Sequence, residues 1–343
     1  MKVGPLKAAV VGARETTPRL QHAVGFHGSA THLRRQLVAL VDGATARGEL
    51  VALDLAPATE VALRASVADG DALRTLTAPA DPEGGHGQGG SGQTVALMRA
   101  RELRTLSATG GTVTVLSEHR AALDGPDGTF WTELDAAVNV ALVDLPVRLV
   151  CFYPEMPLHL SVLEGARRNH SQVLVDGRLR HNAEFRSPRD VLAGHPAATP
   201  TLLGAPDLRL PFHAWQLHEV RHAVRGLAGA AGLTEDRISD VVLAVNEVAT
   251  NAVEHGIRHS APGHTAPGDT APRHAELHVW VLPSGLVCEV HDGGTLTDPL
   301  PGLHPPHPSD PRGRGLWIAR QICDLLHVWS DGSGTHVRVR AAP

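Results

Sequence analysis

The chain has 343 residues and a formal net charge of −5, from 31 basic and 36 acidic residues. That length exceeds what one hydrophobic core of ordinary size serves, so two domains are expected. The dispersed charge forms no basic stripe able to hold a phosphate backbone, which argues against direct nucleic-acid binding. Lys2 and Lys7 are the only lysines, an arginine bias that reads as genomic composition. Cys151, Cys288 and Cys323 stand far apart without a C-x-x-C pair, so neither a disulfide framework nor a zinc site is expected, and a reducing cytoplasm is. Arg14, Glu15, Pro18 and Arg19 interrupt the first residues, and no apolar run of about 18 occurs. The expectation is a soluble, unsecreted chain without membrane contact.

In chain order, residues 32–46 read as a helix, 49–55 (ELVALDL) as a strand, and 78–93 as a glycine-rich loop. A helix over 94–107, a strand over 112–116 (TVTVL), a helix over 130–142 and a strand over 147–152 (VRLVCF) follow. Strand and helix in alternation predict a parallel α/β sheet. The proline-rich stretch 193–206 is the best linker, which puts a boundary near residue 204 and divides the chain into 1–203 and 204–343. Beyond it come helices over 213–230 and 234–257, an inserted loop at 262–272, strands over 274–282 and 286–292, a helix over 314–326 and a strand over 334–340. That order is α+β.

The helix DRISDVVLAVNEVATNAVEHG carries the chemistry. Ile238, Val241, Val242, Val245, Val248, Ala249, Ala252 and Val253 recur at three- and four-residue steps and predict one buried face. Counted at about 100° per residue from Glu247, Asn251 lies about 40° away, Glu254 about 20° on the other side and His255 about 80°. One stripe thus presents a carboxylate, an amide oxygen and a second carboxylate, oxygen ligands of the kind magnesium accepts beside phosphate. Downstream, Asp292-Gly293-Gly294 follows a predicted strand, where a carboxylate can accept an adenine amino group while the backbone approaches closely. Gly313-Arg314-Gly315-Leu316 then opens a helix, whose free N–H groups form a natural seat for phosphate oxygens.

N-E-V-A-T-N-A-V-E-H-G, D-G-G and G-R-G-L-W-I-A-R in that order resemble the gyrase, chaperone, histidine-kinase and MutL ATPase superfamily, a Bergerat-type α+β sandwich, and within it the anti-sigma-factor serine kinases. The resemblance implies ATP and magnesium as cofactors, Glu247 as general base, Asn251 as magnesium ligand and Asp292 as the adenine reader. Gly294, Gly313 and Gly315 would be phosphate-loop glycines with Leu316 beside them, and residues 295–312, with six prolines and two histidines, the nucleotide lid. Leu296 stands where many relatives have a second spaced glycine. The partners implied are a sigma factor or a STAS-type anti-anti-sigma protein, and relatives are often dimers. ATP-gated capture of such a partner without phosphotransfer is the alternative reading.

A sensor histidine kinase is a further alternative, because Leu217-His218-Glu219-Val220-Arg221 resembles its phosphoacceptor box. Only 27 residues separate His218 from Asn246, too few for a second dimerisation helix, so His218 is expected on the surface. The pairs His218/His222, His255/His259 and His274/His278 lack any cysteine or motif partner and, with His264, His304 and His307, are read as solvent-facing.

Toward the amino terminus, HAVGFHGSATHLRRQLVALVDGATARGELVALDLAPATEVALR, with CFYPE and HSQVLVDGRLRHNAEF downstream, resembles the methanogen/methylotroph sensory (MEDS) domain over about residues 20–190. This implies a RecA-like α/β domain that responds to a small organic or metabolic signal. Residues 56–64 carry neither the glycines nor the lysine of a phosphate loop, so no second ATP site is expected. His22, Arg64, Glu133, Cys151, Tyr153 and His170, near predicted strand and helix ends, are the candidate sensory-pocket residues.

Overall fold

A computed structural model of the chain describes residues 19–77, 91–108, 111–121, 128–156, 160–194, 197, 199–256, 274–306 and 314–343. The first half runs β1 (Gln21–His27), α1 (Ala30–Ala46), β2 (Leu50–Asp54), α2 (Pro57–Arg64), β3 (Arg74–Thr75), α3 (Gly92–Ser107), β4 (Val113–Glu118), α4 (Thr129–Ala141), β5 (Val147–Pro154), α5 (Leu160–Asn169), β6 (Gln172–Val175), β7 (Arg178–His181) and α6 (Pro188–Gly194). Its strands lie in the order β3-β2-β4-β5-β1-β6-β7. Neighbours run parallel except β6 and β7, which form a hairpin. Parallel sheets need helical crossovers and bury both faces. One core accordingly forms under α1 and α2 around Leu37, Leu53, Leu63 and Phe152, and another under α3, α4 and α5 around Leu103, Val115, Trp131 and Tyr153.

The predicted parallel sheet is present, with more strands than expected. β1 lies between β5 and β6, yet His22, Gly25 and His27 break its apolar run; β3, β6 and β7 are short, and β3 and β7 are mostly exposed. The glycine-rich stretch also ends earlier than expected. Residues 78–90 lie outside those described, but Ser91 caps α3 by accepting the Thr94 N–H, and Gly92 and Gln93 form its first buried turn.

The second half comprises β8 (Leu208–Phe212), α7 (Leu217–Ala230), α8 (Glu235–Asn251), β9 (Ala275–Leu282), β10 (Gly285–Asp292), α9 (Arg314–Ile322), β11 (Leu325–Asp331) and β12 (Gly334–Ala341). Its sheet is antiparallel, ordered β11-β12-β10-β9-β8. β10 alternates as a one-sided strand should: Leu286, Cys288 and Val290 join the helix core, while Glu289 and His291 face the other side. All eight residues predicted for the buried face of α8 lie in that core.

The predicted helix over 314–326 is corrected, since α9 stops at Ile322. The Asp324 N–H donates to Arg340 O at 3.1 Å, and Leu325 to Trp329 form the buried part of β11. A short apolar run reads equally as helix or strand, and here pairing with β12 decides. β8 also falls outside the predicted strands.

The halves meet through buried polar contacts. Gln93 Nε2 donates to Val328 O at 2.9 Å, and Arg320 Nη2 donates to Gln93 Oε1 at 2.7 Å. His327 Nδ1 shares a 2.8 Å hydrogen bond with Ser91 Oγ. Leu300 and Leu303, from the proline-rich segment after β10, are buried in the same core as Trp131 and Leu149. Among the described residues no helix is long and apolar enough to cross a membrane.

On the face of the second sheet away from its helices, Arg338 holds Glu289 Oε2 through Nε at 3.0 Å and Nη2 at 2.9 Å. His336 stacks between His291 and Trp329, with ring centroids 4.2 and 4.9 Å apart. Burial alone would raise the Glu289 pKa, but hydrogen bonds from His336 and Arg338 outweigh it and hold the carboxyl below its ordinary value. A depressed folded pKa contributes stability that is present above the unfolded value and lost as pH falls through the folded one. Glu289→Gln is therefore expected to lower stability by about 2 kcal/mol at neutral pH and to flatten the acid limb, measured by urea denaturation across pH. Equal stability of variant and wild type at neutral pH would count against this ion pair as a support of the sheet.

Candidate functional site

α8 positions the first two residues of the site. Thr234 caps it by accepting the Arg237 N–H, and Glu235 and Asp236 occupy its positively polarised first turn. With the apolar face packed on the sheet, Glu247 and Asn251 fall on the half-buried opposite side. After Asn251 the helix changes pitch, and residues 252–256 form a single π turn, a device that often marks functional sites. The even 100° count that put Glu254 in one stripe with Glu247 and Asn251 therefore fails beyond residue 251. Glu254 is exposed.

A cleft of about 460 Å³ opens between this helix end and the second sheet, within the range of roughly 300–1,000 Å³ usual for small-molecule sites. Asn251, Asp292, Gly294, Leu296 and Leu316 line it, and Val248, Val290, Val328 and Val337 supply apolar surface. Asp292 ends β10, is 8% exposed, and accepts the Gly294 N–H through Oδ1 at 2.7 Å. Thr335, which sequence reading missed, also lines the cleft and donates its hydroxyl hydrogen to Gly294 O at 3.0 Å. It faces Asp292 across the β10–β12 pair. Only that pairing reveals it.

Glu247 is not among the lining residues. From α8 it reaches the start of α9, where a Cβ added to Gly315 would collide with Glu247 Oε2. Gly315 therefore permits the close approach of that helix start to the carboxylate. Gly313 lies outside the described residues. The described part of the predicted lid brings Thr297, Asp298, Pro301 and Gly302 to the cleft. Gly302 has φ +72°, and a Cβ there would stand 2.8 Å from the Leu316 carbonyl carbon, so only glycine lets this segment lie on α9. Arg189 on α6 donates to Thr297 O at 2.6 Å, which connects the lid to the first half.

The cleft suits a nucleotide in its chemistry. Valine and leucine walls fit the faces of a base, a buried carboxylate fits an exocyclic amino group, and Asn251 offers an amide oxygen to a metal ion that keeps most of its ligands as water and phosphate. His218 is exposed, with its side chain 67% accessible, and α7 spans only 14 residues. His222 and His304 are exposed too, whereas His274 and His278 are half-buried, the latter 2.9 Å from Glu276. His259, His264 and His307 lie outside the described residues, as does the side chain of His255.

Of the candidate sensory residues, the fold gathers His22, Cys151, Tyr153 and His170, and with them Asp135, which sequence reading did not single out. Burial, then the neighbouring His170, lowers the His22 pKa to about 3. Burial likewise lowers His170 to about 4, raises Asp135 to about 6, and pushes the Cys151 thiol up. Arg64 lies elsewhere, at the end of α2 near the β3 edge, bonded to Glu60, Thr75 and the Leu73 carbonyl. Glu133, on the opposite side of α4 from Asp135, accepts the Gly92 N–H at 3.3 Å and lies 3.6 Å from His327. Its place is at the junction of the halves. The candidate residues were expected at or near strand and helix ends, but Cys151 sits within β5.

Over 116 residues the chain is 26% identical to the serine-protein kinase RsbW of Bacillus licheniformis, a stretch that covers 34% of this chain and 72% of that protein. Residues 210–341, which include α8, the cleft and α9, match the family of histidine kinase-like ATPase domains.

Proposed function

We propose that the chain is an ATP-dependent signalling regulator in which residues 204–343, a Bergerat-type sandwich, phosphorylate a serine of a partner protein under control of a sensory domain formed by residues 1–203. The carrying observation is that one cleft unites Asn251, Asp292, Gly294 and Leu316 from three separate segments. The similarity to a serine-protein kinase supports the same reading, as does Glu247 beside the start of α9. By the resemblance stated above, the acceptor is a STAS-type anti-anti-sigma protein and a sigma factor is the second partner.

In this reading Asp292 holds the adenine amino group, Thr335 and Gly294 complete the base pocket, and the α9 start receives phosphate oxygens. Bound magnesium, held by Asn251, would offset charge on the phosphates. Glu247 takes the proton of the attacking serine as its Oγ bonds to the γ-phosphorus and the bond to the β-phosphate oxygen breaks, leaving ADP. Glu247→Gln is expected to bind ATP with near wild-type affinity and to lose transfer by at least about a hundredfold. Unchanged phosphorylation of the partner would remove Glu247 from the role of base.

Titration calorimetry with and without magnesium tests the cleft itself. Wild type should bind one nucleotide, Asn251→Ala should lose the magnesium dependence, and Asp292→Ala should lose binding altogether. A wild type that binds no nucleotide overturns the reading.

Control by the first half finds support in the contacts that reach the cleft from it: Arg189 on the lid carbonyl, and Gln93 between Arg320 and β11. A MEDS-like sensory domain in residues 1–203 is compatible with the β/α alternation of that half. Gln93→Ala is expected to change nucleotide affinity several-fold while the stoichiometry stays at one, because Arg320 then loses an acceptor at the junction. Identical affinities would count against this route of control.

A further inference from the structure

Four side chains meet beside β5 that no local spacing connects. His22 on β1, Asp135 on α4, Cys151 on β5 and His170 just after α5 are all more than nine-tenths buried, and one ligand atom from each lies within 4.8 Å of the others. The parallel pairing of β1 with β5 sets His22 opposite Leu149, so Cys151, two residues on, shares its face.

The hydrogen bonds around the cluster decide its protonation. Asn139 Nδ2 donates to Asp135 O at 3.1 Å and to Asn169 O at 2.7 Å, which leaves Oδ1 as the amide acceptor. His22 Nδ1, 3.0 Å from that oxygen, must carry the hydrogen. His22 Nε2 is then the bare nitrogen, 3.5 Å from Cys151 Sγ. His170 Nδ1 lies 2.6 Å from Ala166 O, a carbonyl that can only accept, so its Nε2 is bare as well. That Nε2 is buried with no hydrogen-bond partner and lies 3.8 Å from Asp135 Oδ2. Tyr153 donates its hydroxyl hydrogen to Asp135 Oδ2 at 2.6 Å and orients the carboxyl group.

We propose that His22 Nε2, His170 Nε2, Cys151 Sγ and a carboxylate oxygen of Asp135 form a binding site for one zinc-class divalent transition-metal ion. Two imidazoles, one sulfur and one oxygen are a tetrahedral zinc set, and a thiolate with imidazoles disfavours magnesium and calcium. Each imidazole already donates its other N–H to an oxygen, the arrangement that fixes metal-ligating histidines. Tetrahedral bonds of about 2.0–2.3 Å put ligand atoms roughly 3.3–3.8 Å apart, so the cluster needs to contract by about an ångström. Charge balance also favours the ion: a thiolate and a carboxylate cancel a divalent cation and leave a neutral buried site, with the Cys151 proton and any proton on Asp135 released to solvent. A cavity of about 40 Å³ that reaches both Asp135 and Cys151 adjoins the cluster.

The test uses the full chain stripped of metal by a chelator, with cobalt(II) as a spectroscopic substitute for zinc. Wild type should take up one equivalent and show thiolate-to-cobalt charge-transfer absorption. Cys151→Ser should lose that band, and His170→Gln should weaken uptake tenfold or more. X-ray absorption of the zinc-loaded wild type should find one sulfur among nitrogen and oxygen neighbours, a result that does not depend on the variants folding. No uptake by wild type, a band that survives Cys151→Ser, or a zinc shell with no sulfur or more than one overturns the site. None of these readouts involves nucleotide, so they stand or fall apart from the ATPase reading.

Discussion

Among the described residues Arg320 is the largest fully buried side chain, at 1% exposure, and its charge makes it the constraint around which the junction is arranged. A guanidinium taken out of water is costly unless its donors find acceptors. Burial lowers its pKa to about 10, with Glu133 and Asp298 acting in the opposite direction, so it stays charged at neutral pH. Its nitrogens reach Pro301 O at 2.8 Å, Leu326 O at 2.9 Å and Gln93 Oε1 at 2.7 Å. Those acceptors belong to the cleft lid, to β11 and to α3. Satisfying one cation therefore fixes three segments of chain relative to one another, and Arg101 adds a hydrogen bond to the Arg320 carbonyl.

The same arrangement explains why the lid is not a simple surface loop. The lid enters the first half's core through Leu300 and Leu303 and crosses α9 at Gly302. A loop held this way contributes walls to the cleft on one side and apolar surface to a foreign core on the other. Movement of α3, α4 or α6 thus has a physical route to the cleft through Gln93, Glu133 and Arg189. α4 also carries Asp135, so one rigid helix spans the His22–Cys151–His170 cluster and the junction.

The parts legible in sequence were those with a local period. Residues 238–253 disclosed the buried face of α8 because three- and four-residue spacing is a property of a single helix. The Asp292-Gly293-Gly294 turn and the α9 start were likewise visible, since backbone freedom and helix ends have local signatures. β1 was hidden by its own histidines. β11 was mistaken for the end of a helix, and the π turn after Asn251 left no mark that a regular count could detect. Thr335 became a site residue only through its register with Asp292.

By itself, then, the sequence determined the two classes of half, one alternating strand with helix and one placing helices before an antiparallel sheet, and it named Asn251, Asp292, Gly294 and Leu316 before they shared a cleft. Only the tertiary structure decided that Arg64 staples a loop, that Glu133 serves the junction, and that His22, Asp135, Cys151 and His170 converge. The reason is physical. Helix and turn preferences act over a few residues, whereas the order β5-β1-β6 and the bond between α6 and the lid arise from packing between segments more than a hundred residues apart, where spacing along the chain carries no information about distance in space.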